Sequence, residues 1–194
     1  MKLTTNHPIQ CRCGRLKGTL AAGADYSRAV CYCRDCQAFA EALGDAGRTL
    51  DAQGGTDVVA SLQRQVHFTA GIDKLACLSL TERGLLRWYA SCCNTPIGNT
   101  PRDPKLSYVG LVHTALGRDA RSLDSIFGPP RLAINVESAR GPVPSGGFRT
   151  LTETLRIIAR LMRARFSGAW RETPFFDAEL RPVASPRVLR SSPG

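Results

Sequence analysis

No run of the sequence approaches the roughly 18 uninterrupted apolar residues of a membrane-spanning helix, which excludes that class of membrane protein. The first eight residues, Met1 to Pro8, hold no apolar stretch of the kind a secretory signal needs, so the expected address is the cytoplasm. Histidine is scarce. His7, His67 and His113 are the only three, and the last two sit in or beside alternating apolar stretches, where they read as strand residues rather than ligands. Aromatic residues make up 7% of the 194 and do not interleave with the basic ones. The net charge of +10 therefore reads as a solvated, arginine-rich surface more than as a nucleic-acid interface. It is uneven: residues 1–100 carry 11 Lys and Arg against 8 Asp and Glu, and residues 101–194 carry 15 against 8.

What the chain does have is a core and cysteine. Hydrophobic residues reach 43%, enough for one domain of ordinary size with a C-terminal extension. There are eight cysteines, and they cluster: Cys11, Cys13, Cys31, Cys33, Cys36, Cys92 and Cys93, with Cys77 apart. A disulfide framework has no reason to prefer gaps of one or two residues, and a cytosolic chain keeps its thiols reduced. Chelation does prefer short gaps, because they aim several sulfurs at one centre. Cys77, inside Leu75-Ala76-Cys77-Leu78, reads as a small buried hydrophobe.

Along the chain, residues 15–20 and 29–33 read as strands around a turn at 22–25, with a Cys-x-Cys at each end of the unit. A short helix is expected from Arg34, stopping near Gly44, and Asp35 reads as an exposed turn residue. Val58-Val59, residues 66–68, 75–80 and 85–89 are further candidate strands, with turns at 53–56, 71–73 and 82–84. Trp88 and Tyr89 are expected to pack beside the late cysteines. A helix of about 150–167 is predicted from a capping box of Thr150 and Glu153, with Gly168 as its stop. Its apolar face is Leu151, Leu155, Ile158 and Met162, and Arg156, Arg160 and Arg163 form a second stripe. Beyond Pro174 the proline-punctuated tail reads as loosely ordered. The domain is expected over 8–110 and the extension over 111–194.

Residues two apart on a strand project to the same side, so Cys11 with Cys13, and Cys31 with Cys33, can each bind one ion together. Cys36 adds a third sulfur. Zinc takes four ligands in structural sites and keeps an open position in catalytic ones, so a three-thiolate group suits chemistry.

The motifs Cys11-Arg12-Cys13-Gly14, Cys31-Tyr32-Cys33-Arg34-Asp35-Cys36 and Cys92-Cys93-Asn94-Thr95-Pro96 resemble those of the glutathione-dependent formaldehyde-activating enzymes and the related centromere protein V group, over roughly residues 10–110. The resemblance implies a mainly β fold, a β-tent of small curled antiparallel sheets around cysteine-ligated zinc, here followed by the C-terminal amphipathic helix. It implies one or two Zn2+ per chain. Cys11, Cys13 and Cys93 map to a structural site, and Cys31, Cys33 and Cys36 to a catalytic one. It also implies carbon–sulfur lyase chemistry, the addition of a small-molecule thiol such as glutathione to formaldehyde or a related small aldehyde. Arg12, Arg15 and Arg34 are candidates to hold glutathione carboxylates.

One departure stands out. Ala90 occupies the position of the family's other late cysteine. Cys92 is the obvious substitute, but adjacent strand residues face opposite ways, so Cys92 and Cys93 share an ion only across a turn; otherwise a water or a distant residue completes the site, or the site is degenerate. The alternative function is a non-catalytic, zinc-stabilised binding module for nucleic acid or a protein partner, and no membrane partner is expected.

Overall fold

The computed structural model describes residues 1–117, 120–143 and 147–189, with the side chains of 120–122 and 147–150 outside that description. The chain is mainly β, as the sequence predicts. Strands β1 (His7–Gln10), β2 (Lys17–Leu20) and β5 (Val66–Ala70) form a three-stranded antiparallel sheet. An eight-stranded sheet takes β3 (Ser27–Cys31), β4 (Thr56–Leu62), β6 (Leu75–Ser79), β7 (Leu86–Ala90), β8 (Thr95–Thr100) and β9 (Tyr108–Val112). It is completed at its edges by β10 (Leu132–Ile134), parallel to β3, and β11 (Arg187–Val188), parallel to β6. The order is β10-β3-β4-β9-β8-β7-β6-β11.

The main core lies between the sheets. Alternation sends Val59, Leu86, Trp88, Val109 and Leu111 from the large sheet against Ile9, Leu16, Leu20 and Val66 beside the small one. Gly18 makes the small sheet possible at its tightest point, since a Cβ there would lie 2.5 Å from the His67 carbonyl oxygen. The outer face of the large sheet is covered in two places. Helix α1 (Arg34–Ala42) packs Phe39 and Leu43 on Leu78, and the short α2 (Ala46–Thr49) follows it. Further along, Ala29, Val58, Val112 and Leu132 receive Ile157 from α4 (Gly147–Ser167). Arg28, almost fully buried, ties β3 to Asp57 on β4 and to Asp124 on α3 (Ala120–Phe127).

Three expectations for the C-terminal part are corrected. Helix α4 starts at Gly147, three residues before Thr150, whose side chain lies outside the described residues. Glu153 does not close a capping box. It is buried, and it accepts from Ser27 Oγ at 3.1 Å and Arg156 Nη1 at 2.7 Å. The face that packs is Glu153, Ile157, Leu161 and Ala164, while Leu151, Leu155, Ile158 and Met162 face solvent. The helix carries two apolar stripes, and periodicity alone does not say which one meets the sheet. Nor is the chain loose over residues 175–189; residues 190–194 of that expectation lie outside the described residues. Phe175 and Phe176 join the main core, with the Phe175 ring 5.2 Å from Trp88 and 5.7 Å from Phe68. Burial of two phenylalanines outweighs the disordering effect of the prolines around them.

Candidate metal centres

Seven of the eight cysteines gather into two groups, and within each group all the sulfurs lie within 4.8 Å of one another. The first is Cys11, Cys13, Cys92 and Cys93; the second is Cys31, Cys33 and Cys36. A zinc–sulfur bond of about 2.3 Å and tetrahedral angles require sulfurs about 3.8 Å apart. In the first group Cys11 lies 3.6 Å from Cys13 and 3.8 Å from Cys92, Cys13 lies 3.2 Å from Cys92, and Cys92 lies 3.9 Å from Cys93. In the second, Cys31 and Cys33 are 3.4 Å apart. The residues therefore fit a metal of zinc's size, and both clusters could hold an ion.

The four-cysteine group is built from two loops. Cys11 and Cys13 follow β1, where Gly14 at φ +75° turns the chain so that its amide donates to the Cys11 carbonyl. The Leu16 amide then donates to the Cys11 sulfur at 3.3 Å. Cys92 and Cys93 stand on the turn between β7 and β8, closed by Asn94 at φ 54°. This is the turn that adjacent cysteines need in order to face one ion, and it brings the Cys92 sulfur to those of Cys11, Cys13 and Cys93. Ala90 itself is buried in the core. Around the cluster, Arg12 donates to Cys93 O and to the buried carboxylate of Asp45. Burial and its sulfur neighbours push the Cys92 thiol up to about 12. Burial also opposes ionisation of Cys93, but hydrogen bonds from Thr95 and Cys13 outweigh it and hold that thiol down to about 6.

The three-cysteine group is local in sequence. Cys31 ends β3, Cys33 caps α1 by accepting from the Cys36 amide at 3.4 Å, and Cys36 lies in the first turn of the helix. Hydrogen bonds from Cys33 and Cys36 draw the Cys31 thiol far down, while Cys36, as the donor, is pushed up.

Four groups that the sequence reading did not single out surround these sulfurs. Arg87, from the middle of β7, is 2% exposed, with Nη1 3.7 Å from Cys36 Sγ and Nη2 3.4 Å from Asp35. Its guanidinium also lies over the Phe39 ring. Asn135, at φ 55°, donates from Nδ2 to Cys31 Sγ at 3.4 Å. The Tyr108 phenol lies across Gly110, where a Cβ would come within 2.6 Å of its oxygen and 3.1 Å of Asn99 Oδ1. Burial, then the charges of Cys31 and Cys36, raise its pKa and keep it protonated. Finally, Thr56 is the in-register partner of Cys31 across β3 and β4, on the same face. Its Oγ1 is buried and has no hydrogen-bond partner among the described residues. An arginine flanked by Leu86 and Trp88 in a buried strand was the one signal the sequence offered for this shell.

Other expected residues stay outside both groups. Cys77 is buried, and burial pushes its thiol up to about 12, as a packed structural cysteine requires. His67 lies on β5. His113 lies in the turn after β9, with its two ring nitrogens facing the carbonyls of Asp57 and Arg48. Asp35 is exposed as expected, but it pairs with Arg87 rather than standing free. A cavity of about 540 Å³ opens beside the four-cysteine group, lined by Gln10, Cys11, Arg12, Asp45, Arg48 and His113. It does not reach the three-cysteine group. No helix among the described residues is long and apolar enough to cross a membrane.

Residues 3–186 match a family of unknown function, DUF6151. The chain belongs to that family. The span that matches DUF6151 takes in the C-terminal helix and β10 before it, and ends one residue short of β11. A crystal structure of a Rhodobacter sphaeroides protein, a Northeast Structural Genomics target, is 19% identical. The similarity covers 61% of this chain and 96% of that one, with a TM-score of 0.41. No curated protein matches the chain.

Proposed function

We propose that the protein is a zinc enzyme of the carbon–sulfur lyase type, related to the glutathione-dependent formaldehyde-activating enzymes, that adds a small-molecule thiol to formaldehyde or a similar small aldehyde. The observation that carries this reading is the unequal sulfur count: four sulfurs make a closed structural site, and three leave one position open. When bound at Cys31, Cys33 and Cys36, zinc supplies the positive charge that makes a thiol shed its proton near neutral pH.

The chain's own groups do the rest. Three thiolates and a divalent ion sum to one negative charge, and buried Arg87 offsets it at Cys36. Asn135 fixes the direction of the Cys31 sulfur. Thr56 Oγ1, with no partner of its own, is a hydroxyl free to meet what occupies the open position. Arg34, exposed one residue after Cys33, is placed to receive a carboxylate of a thiol such as glutathione. The carbon–sulfur bond forms as the aldehyde's π pair moves to its oxygen. That oxygen takes its proton from the Tyr108 phenol, and the phenol is reprotonated by solvent carrying the proton the thiol released.

The test is exchange spectroscopy of glutathione with formaldehyde, with and without zinc-loaded protein, beside X-ray absorption at the zinc edge. Acceleration that Cys36→Ser abolishes supports the lyase. No acceleration, with every zinc bound by four sulfurs, moves the assignment to a binding module whose zinc sites are both structural.

A further inference from the structure

The stripe of α4 expected to face the core faces outward instead. Leu151 is 57% exposed, Leu155 56%, Ile158 49%, Met162 43% and Phe166 81%. At about 100° per residue these five fall within an arc of about 80°, on a line about 22 Å long. They lie opposite the side on which Glu153, Ile157 and Ala164 meet the sheet. A contiguous apolar ridge of this kind marks an interaction surface rather than scattered surface hydrophobes.

The charge around the ridge selects the partner. Arg156 and Arg163 flank one side, Arg165 borders the other, and all three are exposed. Glu153 is the only acidic residue of the helix, and it is turned inward to Ser27 and Arg156. The outward face therefore carries apolar side chains and positive charge with no carboxylate. A second copy pairing ridge to ridge would set these arginines against their own equivalents. The chain's net charge of +10 adds to that repulsion.

We propose that α4 lies in the plane of an anionic lipid surface, with its ridge inserted among the acyl chains and its arginines at the phosphates. The expectation of no membrane partner rested on the lack of a spanning segment, and an in-plane helix needs none.

The experiment is co-sedimentation of the zinc-loaded full chain with phosphatidylcholine vesicles, with and without phosphatidylglycerol, using wild type and the double variant Ile158→Glu/Phe166→Glu. Both positions are exposed, and unchanged zinc content confirms that the variant is folded. The expected result is binding to the anionic vesicles that weakens about tenfold or more on pure phosphatidylcholine, and is lost in the double variant. Absence of binding, equal binding to both vesicles, or retained binding by the double variant overturns the proposal. A dimer seen by light scattering that the double variant dissolves, without vesicle binding, assigns the ridge to a second copy instead.

Discussion

Replacing Arg87 with methionine removes a charge while keeping much of the buried stem, and it acts on one cluster alone. The guanidinium is 2% exposed and sits 3.7 Å from Cys36 Sγ. At an effective dielectric of about 20, opposite charges at that distance attract by about 4 kcal/mol. Part of this is recovered when Asp35, 57% exposed, returns to water. Removing one partner of a buried pair typically costs about 3–5 kcal/mol. A net loss of about 3 kcal/mol weakens zinc at the three-cysteine site by about two orders of magnitude. The four-cysteine site, built from other loops, serves as the internal control. Competition against a chromophoric chelator should therefore split into two steps in Arg87→Met, one unchanged and one about a hundredfold weaker. Arg87→Lys should fall between, since an ammonium restores the charge but not the fork that spans Cys36 and Asp35. Two zincs released at wild-type affinity would refute the charge-balance argument.

Thr56→Val should raise stability by about 1 kcal/mol, because it removes a buried hydroxyl without a partner, and lower thiol–aldehyde exchange; calorimetry and the exchange assay check the two signs. In the metal-free protein at pH 7.5, iodoacetamide should label Cys93 well before Cys92, since a thiol held at about 6 is mostly thiolate there and one at about 12 is not. Lowering the pH through 6 protonates Cys93 and should slow its labelling; equal rates at the two cysteines would refute the assignment. Native mass spectrometry should count two zincs per chain in the wild type and one in either Cys92→Ser or Cys36→Ser. Cys92→Ser alone should lower Tm by about 5 °C or more.

The cysteine motifs were legible because a ligand set is written in short spacings: Cys11 with Cys13, and Cys31 with Cys33 and Cys36, are each complete in the sequence. That Cys92 and Cys93 share a cluster was legible only on condition of a turn between them, and the Asn94 turn meets that condition. The strands at 66–70, 75–79 and 86–90 follow alternation closely. By contrast β1, α2, β8, α3, β10 and β11 were not read. β10 and β11 are edge strands of two or three residues, set by their pairing with β3 and β6 rather than by pattern. Arg87, Tyr108, Asn135 and Thr56 were missed because they come to the sulfurs from β7, β9, the loop after β10 and β4, respectively. Nothing in local sequence marks that convergence. The orientation of α4 failed for a simpler reason, since both of its stripes are apolar enough to pack.

The two clusters differ in what a metal there does for the fold. A link from Cys13 to Cys92 closes a loop of 79 residues and joins the turn after β1, in the small sheet, to the turn after β7, in the large one. Treated as a cross-link, a loop of that length restricts the unfolded chain by about 4.5 kcal/mol, whereas one of about five residues, as between Cys31 and Cys36, gives about 2 kcal/mol. The larger constraint thus falls at the cluster whose four sulfurs leave no coordination site open. At the three-cysteine cluster the sulfurs are already neighbours through β3 and α1, so a metal adds little to chain order there. Yet this is where the protein places a buried cation, an asparagine in a left-handed conformation, a protonated phenol and an unpartnered hydroxyl. Each of these costs stability on its own account. Such costs gathered around a cluster that contributes little to the fold are accounted for if the cluster is where a substrate binds.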